Sequence, residues 1–195
     1  MVDNTELIRP LLKFDNDDLF YFLQVLQRGK ENKGMGKNSR VIKNYYISTL
    51  EYFDHRLPEI KKLCDFFNAR AAIRLNRRSF KNVAFQSMVN IANTLANGDF
   101  EHVKSQYIKA CGKCNSEIEK TWIIDIDGDD SVKHSSFVCS TINNCMPSGY
   151  KIIVEIPSKS GIHLITKPFH VAEFRDQGFE VMDIHKDNPT NLYIP

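Results

Sequence analysis

Two things are scarce in this chain of 195 residues: long apolar runs and a surplus of charge of one sign. No stretch stays apolar for the roughly 20 residues a helix needs to cross a bilayer, and the N-terminal residues lack a secretory pattern. Lysine and arginine number 26 against 24 acids, a formal net charge of +2. A global field that gathers nucleic acid is thereby excluded, so any grip on phosphate has to come from local patches. Cysteines are few and odd in number, five in all, which speaks for a reducing compartment and against a disulfide framework. A soluble, cytoplasmic protein is the expectation. At this length one good core, or two small units sharing one, can form.

What the chain does have centres on residues 121–130. Trp122, Ile123, Ile124 and Ile126 are bulky or β-branched and read as a buried strand over Trp122–Asp127. Asp125 and Asp127 interrupt it two residues apart, so both carboxylates leave the same face. Like charges side by side on a strand are unfavourable unless something positive neutralises them. A divalent cation, Mg²⁺ or Mn²⁺, suits such an all-oxygen site. The competing reading is an Asp-rich turn with its acids in water. A calcium-binding EF-hand loop fails, because its sixth and twelfth positions from Asp125 hold Asp130 and Ser136. A phosphatase of the haloacid-dehalogenase type is weakened by Asp129 where Thr or Val is wanted, and by the short remaining chain.

Upstream, residues 15–28 read as a helix capped by Asp15 and Asn16, with Leu19, Phe20, Phe22, Leu23 and Leu26 as its apolar face. A polar run with Lys30, Lys33, Lys37 and Arg40 follows, either a basic loop that meets phosphate or a solvated linker. Residues 41–48 suit a strand, and 50–67 a helix that Pro58 breaks or restarts. Over 68–79 the alternation puts Ala71, Ile73 and Leu75 on one face and Arg70, Arg74 and Asn76 on the other. Arg70 and Arg74 are therefore expected in a cleft with the acidic strand, where a guanidinium fork suits phosphate. Ser79 caps a helix over 80–97 in which Met88 and its neighbours are core, and another helix spans about 100–110. Cys111 and Cys114 with Cys139 and Cys145 make two pairs, but the second has five residues between its members, so a four-thiolate zinc site is the weaker reading.

From residue 121 onward the order is strand, helix (131–145), strand (150–156), strand (162–166), short helix (171–176), strand (180–185). That is β-α-β-β-α-β, the ferredoxin-like or RNA-recognition-motif arrangement, in which the first strand lies between the third and fourth. Asp125 and Asp127, His163 and Asp183 then converge on one open face. The fold class expected is α+β: a leading helical and α/β unit, 1–118, packed on an RNA-recognition-motif-like unit, 119–195, as one compact two-part domain. A further strand is expected in the tail, where Lys186 lies near enough to Asp183 to meet phosphate or face solvent.

Asp125-x-Asp127, then Ser158, Lys159, Ser160, Gly161, Ile162 and His163, then Val181-Met182-Asp183, resemble the three motifs of the archaeo-eukaryotic primase superfamily. Short primase-polymerase proteins of phages and mobile elements are similar in layout, from about Val41 onward. Two features depart from the family: Ser160 and His163 are separated by two residues where many members have one, and no accessory initiation domain is recognisable. The resemblance implies a nucleotidyltransferase, a DNA primase or polymerase. Asp125, Asp127 and Asp183 would be catalytic and hold Mg²⁺ or Mn²⁺, and Ser158, Lys159, Ser160 and His163 would bind the triphosphate. It also implies a single-stranded DNA template and nucleoside triphosphates as partners, no membrane, and the host cytoplasm for a phage-encoded chain. A helicase or other replication partner would be a separate protein. Alternatives using the same acids are a metal-dependent phosphatase or nuclease. A non-catalytic nucleic-acid-binding module would instead want aromatics on the sheet face.

Overall fold

The computed structural model describes residues 1–32, 34–36, 38–128, 131–179 and 182–195, with 131–135 in backbone only. The fold is mixed α+β with two antiparallel sheets. The first sheet contains β1 (Val2–Asp3), β2 (Leu19–Gln27), β3 (Arg40–Ile47), β4 (Arg70–Ile73), the short β5 (Arg78–Ser79) and the C-terminal β10 (Thr190–Ile194). Their order is β1-β10-β4-β2-β3, with β5 beside β2. The second sheet contains β6 (Trp122–Asp127), β7 (Ile152–Pro157), β8 (Gly161–Thr166) and β9 (Asp183–His185), in the order β7-β8-β6-β9. The α-helices are α1 (Thr5–Ile8), α2 (Leu50–Phe67), α3 (Phe80–Ala96), α4 (Gln106–Lys113), α5 (Ser131–Asn144) and α6 (Val171–Asp176).

The expected helix over 15–28 is β2 instead. Tyr21, Leu23 and Val25 pack with Phe53 and Ile60 of α2, while Phe20 and Phe22 pack with Val83 of α3 and with Ala110 and Cys111 of α4. A strand buried on both faces loses its alternation, and a continuous apolar run imitates a helical stripe. Helix α2 runs unbroken through Pro58, which lies on its exposed side, so the expected break or restart there does not occur. Asn68, with φ of 45°, ends it.

Ser79 caps α3 as its sequence requires, its Oγ accepting from Asn82 N at 3.0 Å. The assignment of Met88 to the core is corrected: Met88 is 66% exposed, and Phe85 and Val89 beside it are exposed too. The face of α3 that packs runs through Val83 and Ser87, one column away from the most apolar stripe. The helix over 100–110 is a 3-10 turn, Val103–Ser105, followed by α4. Cys111 sits in the core with Phe20 and Phe22, whereas Cys139 and Cys145 pack around Ile124 on the other sheet. The two cysteine pairs are thus in separate cores, and burial pushes the Cys111 thiol up to about 12.

The sheets share a core: Ile123, Ile156 and Ile165 of the second join Leu23, Ile73 and Leu192 of the first. Strand β10, inside the expected 119–195 unit, pairs with β1 and β4 of the first sheet. The chain therefore returns to its starting sheet after building the second, and Asn4 Nδ2 bonds both Pro157 O at 2.9 Å and Asn191 O at 2.8 Å. Among the described residues no helix is long and apolar enough to cross a membrane.

Candidate active site

Alternation along β6 divides its side chains. Ile124 and Ile126 pack with Val138 and Ile142 of α5 and Phe174 of α6. Ile123, Asp125 and Asp127 have the opposite parity; Ile123 enters the core shared with the first sheet, and the acids line a cavity together with Arg70 and Asn191 of that sheet. In register, Asp125 lies between His163 on β8 and Asp183 on β9, and Asp127 lies opposite Gly161. Directly opposed residues share a face, so the acidic strand, its histidine and its third carboxylate present to one side.

Asp125 and Asp127 form the common wall of two cavities. One, about 470 Å³, is also lined by Met182 and Asp183. The other, about 590 Å³, is also lined by Arg70, Ser158, Lys159, Ser160 and His163. Both volumes lie within the roughly 300–1,000 Å³ usual for small-ligand sites.

Asp125 is the electrostatically strained member. Burial, with Asp127 and Asp183 nearby, raises its pKa, and the closeness of His163 and His185 opposes this. Its Oδ1 is buried without a hydrogen-bond partner and lies 3.7 Å from His163 Nε2. Burial also pulls the His163 pKa down, against the pull of Asp125. His163 Nδ1 lies 2.9 Å from Thr190 Oγ1 on β10, so the imidazole is held between the two sheets. Ser160 does not serve His163; its hydroxyl donates to Asp127 Oδ1 at 3.0 Å.

The turn before His163 is closed by Ser158 N donating to Gly161 O at 2.8 Å and by Gly128 N donating to Ser160 O at 3.0 Å. A Cβ on Gly161 would stand 2.0 Å from Ile126 O, a backbone atom that cannot swing aside. The Gly161→Ala variant should therefore lose about 3 kcal/mol, the upper end of overpacking costs. Urea denaturation checks this, and an unchanged midpoint would mean that β6 and β8 part freely.

Arg70 reaches the expected cleft, lining it with Asp125 and His163. Arg74 does not join it. Its Nη1 donates to Asp187 O and lies 4.0 Å from the Asp187 carboxylate. β4 ends at Ile73, so the parity that would align Arg74 with Arg70 stops one residue short. Lys186 lies over the Trp122 ring at 4.9 Å. Lys33 and Lys37 are outside the described residues, as are Val181 of the third motif and Glu180 at the start of the expected strand, while Lys30 lines the cleft with Arg28 and Glu31. The sequence reading missed Arg28, Glu31, His185 and Asn191 as cleft residues and Thr190 as the partner of His163. The basic run beginning at Lys30 was the one local signal for any of them.

No family model, curated protein or solved structure matches the chain. Among the described residues no three His, Cys, Asp or Glu side chains converge tightly enough to hold a metal ion as they stand. The donor chemistry nevertheless fits a hard cation: two carboxylates on one face, a third opposite Asp125, and an orphaned buried acceptor on Asp125. Mg²⁺ is commonly bound by one or two carboxylates plus substrate phosphates and water, without a complete protein cage.

Proposed function

We propose that this protein is a metal-dependent nucleotidyltransferase of the primase-polymerase kind, with an RNA-recognition-motif-like catalytic unit. The observation that carries the reading is the register of β6: Asp125 lies between His163 and Asp183, with Asp127 on the same face. The sheet order β7-β8-β6-β9 supports it, since a β-α-β-β-α-β unit has its first strand between the third and fourth. Mg²⁺ or Mn²⁺, when bound, would supply charge stabilisation at the attacking and leaving oxygens of phosphoryl transfer. Asp125 and Asp127 would hold it, with Asp183 as the third ligand.

The chain's own groups divide the remaining work. Ser158, Lys159 and the cleft side of His163 offer donors and positive charge to a triphosphate, and Arg70 offers a planar fork. Thr190 keeps the His163 ring from rotating, so its Nε2 stays on the Asp125 side. Ser160 orients Asp127 through its hydroxyl. A single-stranded DNA template would run along the cleft between the sheets. The deciding experiment is template-directed incorporation of labelled nucleotide with Mg²⁺ or Mn²⁺, run beside phosphate release and strand cleavage. Incorporation sustains the proposal; cleavage or phosphate release alone would reassign the same acids to a nuclease or phosphatase.

A further inference from the structure

We propose that the Glu31 carboxylate holds the place of a phosphoryl group on Arg70, so that a phosphate ligand enters the cleft by displacing an internal carboxylate. The pairing is a fork: Arg70 Nε donates to Glu31 Oε2 at 2.9 Å and Nη2 donates to Oε1. Arg28 Nη1 lies 3.6 Å from the same Oε1. The Arg70 side chain is 11% exposed and the Glu31 side chain 17%, so the pair sits inside the cleft wall. A guanidinium that binds a carboxylate through two parallel bonds offers the same two donors to a phosphate.

The surroundings favour the exchange. The cavity of about 590 Å³ that holds this pair is lined by four cations, Arg28, Lys30, Arg70 and Lys159, against the carboxylates of Glu31, Asp125 and Asp127. Once Glu31 swings out, the cationic side faces the acidic strand across the cavity, and a phosphate there meets Arg28 and Arg70 together. The turn that bears Glu31 is tied independently of its carboxylate. Asn32 Nδ2 donates to Arg28 O at 3.0 Å and to Asn68 O at 3.1 Å, and Asn68 Nδ2 donates to Glu31 O at 3.4 Å. Neutralising Glu31 therefore frees Arg70 without removing those anchors. The ligand class is a phosphate ester or anhydride, either the triphosphate of a nucleotide or the backbone of a strand. This assignment rests on the nucleotidyltransferase reading for its biological ligand, but its test needs no turnover.

The Glu31→Gln and Arg70→Lys variants and their double variant would be compared with the parent in low-salt magnesium buffer without primer. The probes are inorganic tripolyphosphate and a labelled oligothymidylate. E31Q should tighten at least one probe about three- to tenfold, the effect of removing one competing, partly screened charge. Tightening of tripolyphosphate identifies the triphosphate as the source; tightening of the oligonucleotide identifies the strand backbone. In the double variant the gain should vanish, because lysine keeps the charge but lacks the fork. Unchanged or weaker binding of both probes in E31Q would overturn the proposal. A fall in melting temperature without a gain in binding would do the same and mark the pair as purely structural. Failure of the nucleotidyltransferase reading would show separately, as absent incorporation by the parent protein alongside an intact E31Q effect.

Discussion

The Asp125→Ala and Asp127→Ala variants should fold as the parent does and lose nucleotide incorporation by about three orders of magnitude or more, as expected where bound metal carries the transition-state charge. Asp125→Ala should even stabilise the metal-free protein. Its Oδ1 is buried with no partner, and its charged form is disfavoured by burial and by Asp127 and Asp183. The sign follows from linkage: a carboxyl whose folded-state pKa is raised binds more protons folded than unfolded, so its charge costs stability above that pKa. The gain in Asp125→Ala should therefore be present at pH 7 and fade as pH falls through the raised value towards the ordinary aspartate range. Incorporation assays and melting temperatures at several pH values check both parts. Full activity in both variants would end the polymerase reading.

Arg78→Ala or Asp187→Ala should cost about 3–5 kcal/mol, the usual penalty for breaking one side of a buried ion pair. Against a typical total of about 5–15 kcal/mol, that is enough to unfold a large share of the molecules on mild heating. Arg78 is fully buried, and its Nη2 and Nη1 donate to the two Asp187 oxygens at 2.6 and 3.0 Å. Its Nε donates to Cys111 O at 2.8 Å and its Nη1 to Asn76 O, so one guanidinium ties α4, the β4–β5 connection and the segment before β10. Asn76 extends the tie: its Nδ2 donates to Thr121 O at 2.9 Å and its Oδ1 accepts from Thr121 N at 2.7 Å, just ahead of the acidic strand. The double replacement Arg78→Met with Asp187→Leu should recover much of the loss, since apolar residues of similar volume need no partner. Urea midpoints for the two single variants and the double variant measure this; a double variant as unstable as either single one would refute the pairing argument. Asp187 is therefore committed to holding the sheets together, and any loss of activity on replacing it should track loss of fold.

The acidic strand, the element order after it and the Ser79 cap were legible in the sequence. Each depends on residues within a few positions of one another: parity places Asp125 and Asp127 on one face, and a hydroxyl three residues ahead of a free N–H makes a cap. The β-α-β-β-α-β order also placed His163 and Asp183 beside Asp125, because antiparallel strands joined in that order have few arrangements open to them.

Local pattern could not decide what depends on a surface brought from far along the chain. β2 reads as a helix until α2 covers one face and α3 with α4 covers the other. Thr190 meets His163 because β10 returns to the first sheet, a pairing across most of the chain that leaves no periodic mark. Arg70 and Arg74 differ by four residues and share a residue type, yet one faces Glu31 in the cleft and the other Asp187. A buried guanidinium goes where a carboxylate can neutralise it, and the positions of those carboxylates are set by the packing of the two sheets.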